Sequence, residues 1–162
     1  MHLSILARAG LAALLFGVTS SGPLLAAGDS TEAASARTEP LGIVSGTGRH
    51  SFAVEVMRND AERSRGLMFR RSMAANRGML FDFERPTPVT MWMKNTYLSL
   101  DMVFIRSDGT IARVAADTEP LSTRIVDSGE PVLGVLELNA GTAAKLGIRP
   151  GDRIDHPMFR SR

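Results

Sequence analysis

The polar groups best suited to binding chemistry stand at the end of an apolar run, in the segment 91–96, which reads Met-Trp-Met-Lys-Asn-Thr. Lys94 supplies a positive charge and three hydrogen-bond donors, and Asn95 supplies both a donor and an acceptor. Together with Arg65, Arg70 or Arg71, these groups have the chemistry that holds a carboxylate, a phosphate or a polar sugar. If the apolar run is a strand, Trp92 points to the opposite face from its two methionine neighbours. This segment is therefore the candidate ligand site.

Two carboxylates, Asp101 and Glu137, each stand between two apolar neighbours. A carboxylate in such surroundings must be paired or hydrogen-bonded. Each is therefore either a general base or ligand contact, or one half of a structural salt bridge to Lys94 or an arginine. Asn95 and Thr96 have a structural alternative as well, because such side chains often satisfy backbone groups in a tight turn.

Several kinds of catalytic site are absent from the sequence. The chain has no cysteine, which excludes disulfides, thiolate nucleophiles and thiolate zinc sites. It also lacks a Gly-x-Ser-x-Gly nucleophile elbow, a His-Glu-x-x-His helix and a phosphate-binding loop. A binding role is therefore favoured over an enzymatic one, and no catalytic residue, metal ligand or cofactor is assigned.

The methionines raise the alternative of a copper-handling protein, because thioethers suit Cu(I). Core packing is the commoner use of methionine, and Met79 and Met102 lie in strongly apolar strands where that use is expected. The methionines that follow the first 27 residues are Met57, Met68, Met73, Met79, Met91, Met93, Met102 and Met158.

The amino terminus has the three parts of a secretory signal. Arg8 precedes an apolar run of about 10 residues, Pro23 prevents its extension, and small residues end the segment. The run is much shorter than the roughly 20 residues of a membrane-spanning helix, which argues against a retained anchor. We predict a signal peptide over 1–27, a flexible linker over 28–40 and one globular domain over 41–162. The protein is then periplasmic or secreted through the general secretion route, with no stable membrane insertion after cleavage.

The charge balance is close to neutral. The formal net charge of the 162-residue chain is +2, and removal of the predicted signal peptide lowers it by one, because Arg8 is the only charged residue of that segment. This balance gives no electrostatic reason to expect nucleic acid or an acidic membrane as partner. A small polar ligand or a protein partner is expected instead.

Short strands and tight turns dominate the coarse secondary structure. Asn59 with Glu62 predicts a capped helix that Gly66 ends, and Gly147 ends a second short helix. Asp108 followed by glycine is the strongest hairpin signal in the chain. Six or seven strands with two short helices predict a mainly β (α+β) domain, and a small, partly closed antiparallel β-barrel protects its edges best.

An ordered set of motifs resembles the domain-of-unknown-function 192 family over residues 50–158. The motifs are Gly-Leu-Met-Phe-Arg at 66–70, Gly-Met-Leu-Phe at 78–81, Met-Trp-Met-Lys-Asn-Thr at 91–96, Leu-Asp-Met-Val-Phe-Ile at 100–105, Val-Leu-Glu-Leu at 135–138 and Gly-Asp at 151–152. The resemblance implies a small β-rich domain of prokaryotic, often exported proteins. It implies no reaction, cofactor or substrate.

The leading hypothesis is therefore an exported binding or accessory domain that recognises a small polar or anionic ligand, or a protein partner, through residues 91–96. One alternative is an extracytoplasmic enzyme that uses Lys94 with Asp101 or Glu137. The other is the methionine-based copper-handling protein.

Overall fold

The computed structural model describes residues 37–160, which form seven strands, two α-helices and one short 3-10 helix. The elements are β1 (Thr38–Ser45), β2 (Gly48–Met57), α1 (Asp60–Arg65), β3 (Arg77–Met91), β4 (Leu100–Ile105), β5 (Ile111–Thr118), β6 (Val126–Asn139), α2 (Thr142–Leu146), β7 (Arg153–Asp155) and the 3-10 helix Pro157–Phe159. The predicted signal peptide and most of the predicted linker lie outside the described residues. Strand β1 begins at Thr38, so the last three residues of the predicted linker belong to the sheet, where β1 pairs along its whole length with β2.

All seven strands form one sheet, in the order β5-β4-β6-β3-β2-β1-β7. Its two ends approach each other, since the Ile111 N–H donates to the Asp152 carbonyl at 2.8 Å and the Ile154 N–H donates to the Gly109 carbonyl at 2.8 Å. The sheet therefore curls into a half-barrel. This confirms the mainly β class and the partly closed barrel with two short helices.

The pairing between β2 and β3 is parallel, whereas the other neighbouring strands pair in antiparallel fashion. Parallel neighbours need a crossover connection, and here α1 and the loop that follows it form that connection. They return the chain so that β3 begins beside β2 and runs in the same direction. The predicted antiparallel arrangement thus differs from the structure at this one pair.

The helix ends and the hairpin follow the sequence signals. The Asn59 side chain accepts from the Glu62 N–H at 2.9 Å, and the Glu62 carboxylate accepts from the Asn59 N–H at 3.3 Å, which completes the capping box at α1. Gly147 takes the left-handed conformation at the end of α2, with φ 62°. Gly109, with φ 83°, turns the chain between β4 and β5, which pair as the predicted hairpin.

Apolar side chains are buried on both faces of the sheet, because successive residues of a strand point to opposite sides. On β4, Val103 belongs to one cluster while Met102 and Phe104 belong to the other. Met79 and Met102 are 1% and 0% exposed, which confirms their predicted core packing. The cluster that bears on function, called the second core here, consists of Leu67, Met79, Phe81, Val89, Met93, Leu100, Met102, Phe104, Val132 and Val135.

Within residues 37–160, no helix has the length and hydropathy that a bilayer crossing requires.

Candidate functional site

Three loops cover one side of the second core, and backbone hydrogen bonds join them. The Phe69 N–H donates to the Asn95 carbonyl at 2.8 Å, and the Leu121 N–H donates to the Thr96 carbonyl at 3.0 Å. The middle loop therefore holds the two others in place. The three loops are 66–76, between α1 and β3; 92–99, between β3 and β4; and 119–125, between β5 and β6.

A cleft of about 410 Å³ opens between α1, β3 and these loops. Its walls are mainly apolar, with Leu67, Met68, Phe81, Phe83, Met91, Trp92 and Ile125 among the lining side chains. The polar and small residues of the lining are Asp60, Arg63, Ser64, Arg65, Gly66, Thr90, Thr96 and Glu137. A concave site of this size whose exposed wall area is more apolar than polar is typical of small-molecule binding. The predicted segment 91–96 contributes Met91, Trp92 and Thr96 to it.

Glu137 lines this cleft with a carboxyl group that is almost completely buried. It lies on β6, where Met79 of β3 and Met102 of β4 are its cross-strand neighbours, and it is 4% exposed. Burial raises the pKa of Glu137 from 4.5 to about 8, and neither a hydrogen bond nor a nearby charge contributes. The carboxyl group is therefore largely protonated at neutral pH, and its polar atoms have no partner among residues 37–160.

Arg63, which lines the cleft, already pairs with other groups of the protein. Its guanidinium lies 2.5 Å from an Asp60 oxygen and 3.5 Å from a Glu84 oxygen, and it stacks over Phe83 at 5.9 Å from the ring centroid. It also donates to the Asp82 carbonyl at 2.6 Å. An anion entering the cleft would have to compete with two carboxylates for this arginine.

Lys94 is exposed and lies outside the cleft lining. Its ammonium stands over the Trp92 ring at 5.2 Å from the centroid, a cation–π contact. None of the ion pairs in the part of the chain that the structure describes includes Lys94. The pairs with Asp101 or Glu137, on which the enzyme alternative depends, are therefore not formed.

Arg70 forms a bidentate ion pair with Glu55 of β2, with both N–O distances at 2.6 Å. These hydrogen bonds hold the pKa of Glu55 below its ordinary value, against the opposing effect of burial. Arg70 thus fastens the loop 66–76 to the sheet. Its donors toward Glu55 are occupied, and it does not line the cleft.

Asp101 is fully buried, and its partners are backbone groups. Its carboxylate accepts hydrogen bonds from the N–H groups of Asp117 at 3.0 Å, Gly141 at 3.2 Å and Ala143 at 2.8 Å. The last two donors lie at the start of α2, so Asp101 ties that helix to β4. The predicted salt bridge to Lys94 or an arginine is wrong, because three backbone N–H groups, not a charged side chain, stabilise this carboxylate.

Asn95 and Thr96 lie in a tight turn, as the structural interpretation of these two residues predicts. Asn95 has φ 58°, in the left-handed region that asparagine tolerates, and its amide lies 3.8 Å from the Met68 sulfur. The Thr96 hydroxyl donates to the Lys94 carbonyl at 3.3 Å. Both residues position the loop, while Thr96 also reaches the cleft.

A feature absent from the sequence-based prediction is the concentration of exposed apolar side chains on these loops. Six large apolar side chains are exposed among residues 37–160, and five of them belong to the three loops. They are Phe69 at 59%, Trp92 at 46%, Tyr97 at 45%, Leu121 at 55% and Ile125 at 55%. Apolar loop residues resemble core residues in a sequence, and only their exposure in the fold distinguishes them.

Leu121 combines exposure with backbone strain, since its φ of 63° lies in the left-handed region that bulky residues avoid. We expect Leu121→Gly to raise the free energy of unfolding by about 1 kcal/mol, because glycine relieves the strain and little apolar contact is lost. Urea denaturation measures the change. Ile125→Gly is the matched control, with equal exposure in the same loop and no positive φ, and should destabilise. Equal losses in both variants would contradict the strain.

Comparisons with known proteins identify the fold and the family. No curated protein matches the chain significantly. A crystal structure from Sinorhizobium meliloti 1021, described as a candidate transcription regulator, is 51% identical and covers 73% of this chain and 92% of its own, with a TM-score of 0.71. A protein of unknown function from Novosphingobium aromaticivorans DSM 12444 is 38% identical and covers 74% of this chain and 85% of its own, with a TM-score of 0.72. The family model DUF192, described as "Uncharacterized ACR", matches residues 42–156, and the chain therefore belongs to the DUF192 family.

Proposed function

We propose that this protein is a ligand-binding accessory domain that acts outside the cytoplasm, and that its cleft takes a small, largely apolar molecule carrying one hydrogen-bonding group for Glu137. The observation that carries the proposal is the buried carboxyl group of Glu137, which lines the cleft and has no partner among the described residues. The extracytoplasmic location rests on the signal-peptide pattern of residues 1–27.

The burial of Glu137 is unfavourable in the free protein. No side chain or backbone group of residues 37–160 offers the Glu137 carboxyl group a hydrogen bond, whereas the buried Asp101 carboxylate has three backbone donors. A ligand that donates a hydrogen bond to Glu137 would supply the missing partner on binding. The unpaired group therefore favours binding over a purely structural role.

The cleft favours a neutral or cationic ligand over the anionic one expected from the sequence. The residue at its buried end is an acid, and Arg63 is held by Asp60 and Glu84. Lys94, Arg70 and Arg71, three of the cations predicted for an anion, stand outside the lining. Arg65 lines the cleft but is exposed to solvent, whereas Glu137 is buried. An aliphatic or aromatic amine fits best, because its ammonium would pair with ionised Glu137 while its apolar part contacts the methionine and aromatic walls.

A transcriptional role, as described for the Sinorhizobium protein, finds less support. Reading a DNA groove usually requires a helix or a β-ribbon that carries basic and polar side chains. The two α-helices between residues 37 and 160 have only six and five residues.

The test compares ligands of one shape and different charge. We expect phenethylamine to raise the melting temperature and to change Trp92 fluorescence, phenethyl alcohol to do so weakly, and phenylpropionate not at all. Amine affinity should increase with pH up to about 8, because the ammonium selects the ionised form of Glu137. Glu137→Gln should abolish the preference for the amine.

Glu119→Gln is the matched control, since Glu119 is an exposed glutamate of the loop 119–125 that does not line the cleft. It should bind the amine as the wild type does. The proposal fails if the wild type binds none of the three compounds, or if Glu137→Gln binds the amine as tightly as the wild type.

A further inference from the structure

The three loops, which backbone hydrogen bonds join, carry five exposed apolar side chains, called the three-loop surface here and defined by Phe69, Trp92, Tyr97, Leu121 and Ile125. Phe69 and Tyr97 make an edge-to-face contact with ring centroids 6.4 Å apart, and Trp92 and Ile125 both line the cleft that contains Glu137. Exposed apolar side chains scattered singly are ordinary, but a cluster of them marks an interaction site. The sixth exposed apolar side chain, Val44, lies on β1.

Two of these side chains are held outward by strained backbone. Phe69 has φ 65° and Leu121 has φ 63°, and each donates its N–H to the loop 92–99. Bulky residues in the left-handed region cost about 1–2 kcal/mol each, and neither side chain recovers this by burial. Backbone strain that holds an apolar side chain in solvent, and not in the core, is typical of a surface that binds a partner.

Cations accompany the aromatic rings. Lys94 stands over Trp92 at 5.2 Å, and the Arg71 guanidinium stands over Tyr97 at 5.4 Å from the ring centroid. The loops 66–76, 92–99 and 119–125 contain four basic residues and one acidic residue, which are Arg70, Arg71, Lys94, Arg124 and Glu119. Arg70 is paired with Glu55. The near-neutral balance of the whole chain therefore conceals a local excess of positive charge at this surface.

We propose that the three-loop surface docks on an anionic lipid membrane. Tryptophan and tyrosine favour the headgroup layer of a bilayer, where their rings are partly buried and neighbouring cations meet lipid phosphates. Leu121 and Ile125 supply aliphatic side chains for the acyl boundary. Each basic residue near an anionic membrane strengthens the attraction.

The charge pattern disfavours a second copy of this chain as the occupant. A two-fold symmetric interface places the same patch on both sides, so Lys94, Arg71 and Arg124 would face an equally basic surface. An acidic protein face would satisfy the charges. The lipid surface is favoured because both amphipathic aromatic rings carry their own cation, which matches the layered chemistry of the bilayer interface.

The chain offers an intrinsic probe, because Trp92 is its only tryptophan. We would titrate the full chain with vesicles of phosphatidylglycerol and phosphatidylcholine in equal parts, and with pure phosphatidylcholine, while recording Trp92 emission. The proposal predicts a blue shift, and quenching by brominated lipid, with the anionic vesicles. The response should weaken at high salt and with the neutral vesicles. If the chain binds the vesicles but the emission of Trp92 does not change, then residues 1–27 alone make the membrane contact. This result would overturn the proposal.

Variants separate apolar from electrostatic contributions. Phe69→Ser combined with Leu121→Ser, and separately Lys94→Glu, should each reduce partitioning roughly tenfold. Matched controls are Val44→Ser and Lys145→Glu. Lys145 lies on α2, which packs against the cluster that contains Val103, on the opposite face of the sheet from the second core. Equal losses in variants and controls would overturn the proposal. So would a Trp92 response to a polyglutamate peptide that no vesicle reproduces, since this would identify an acidic protein as the partner.

Discussion

Glu137→Gln is expected to make the protein several kcal/mol more stable than the wild type at pH 8 to 9, and to leave stability nearly unchanged near pH 4.5. In the folded protein, burial raises the pKa of Glu137 from 4.5 to about 8. Between these values the folded state holds a proton that the unfolded state has released. The free energy of unfolding therefore falls as pH rises, by about 1.4 kcal/mol per pH unit from this group alone.

The measurement is urea denaturation of both proteins at each pH, and the informative quantity is the difference between them. His156 acts in the opposite direction, because burial lowers its pKa and so makes its contribution to stability increase with pH near 6.5. Subtracting the two curves removes this effect, which both proteins share. A difference that stays constant from pH 4.5 to 9 would show that Glu137 titrates normally, and would remove the argument for an unpaired acid in the cleft.

The sequence predicted the fold because local signals carry it. Alternating apolar residues, the Asn59 capping box and the glycine at the β4–β5 turn all act within a few residues, and each was confirmed. The parallel pairing of β2 with β3 was not predicted, since it depends on where the chain returns after α1. Pairing between distant segments leaves little trace in a single sequence.

The sequence could not separate Asp101 from Glu137, which have the same kind of apolar neighbours. In the sheet, Asp101 stands opposite Leu138 while Glu137 stands opposite Met102. Opposed residues of an antiparallel pair share a face, so the two carboxylates point to opposite sides of the sheet. One meets the start of α2, and the other meets the cleft. Register, which is a long-range property, thus decides which acid is structural.

Asp101→Ala is expected to lower the free energy of unfolding by about 3–5 kcal/mol. The change removes the only side chain of the described residues that accepts from the N–H groups of Asp117, Gly141 and Ala143. Buried donors left without an acceptor lose their full hydrogen-bond energy, and the connection between β4 and α2 is lost with them. Asp101→Asn keeps one acceptor oxygen and should lose less, so it provides a folded protein to measure if the alanine variant is not recovered.

Asp152→Ala is the matched control, because Asp152 also accepts a backbone N–H, that of Arg149 at 2.8 Å, but in an exposed turn. Water replaces the lost acceptor there, so the expected decrease is about 1 kcal/mol or less. Denaturant titration of the three variants at one pH gives the order Asp101→Ala, Asp101→Asn, Asp152→Ala in decreasing loss. If Asp101→Ala lost no more than Asp152→Ala, the buried acceptor would not be what holds α2 on the sheet, and Asp101 would return to the set of carboxylates available for ligand chemistry.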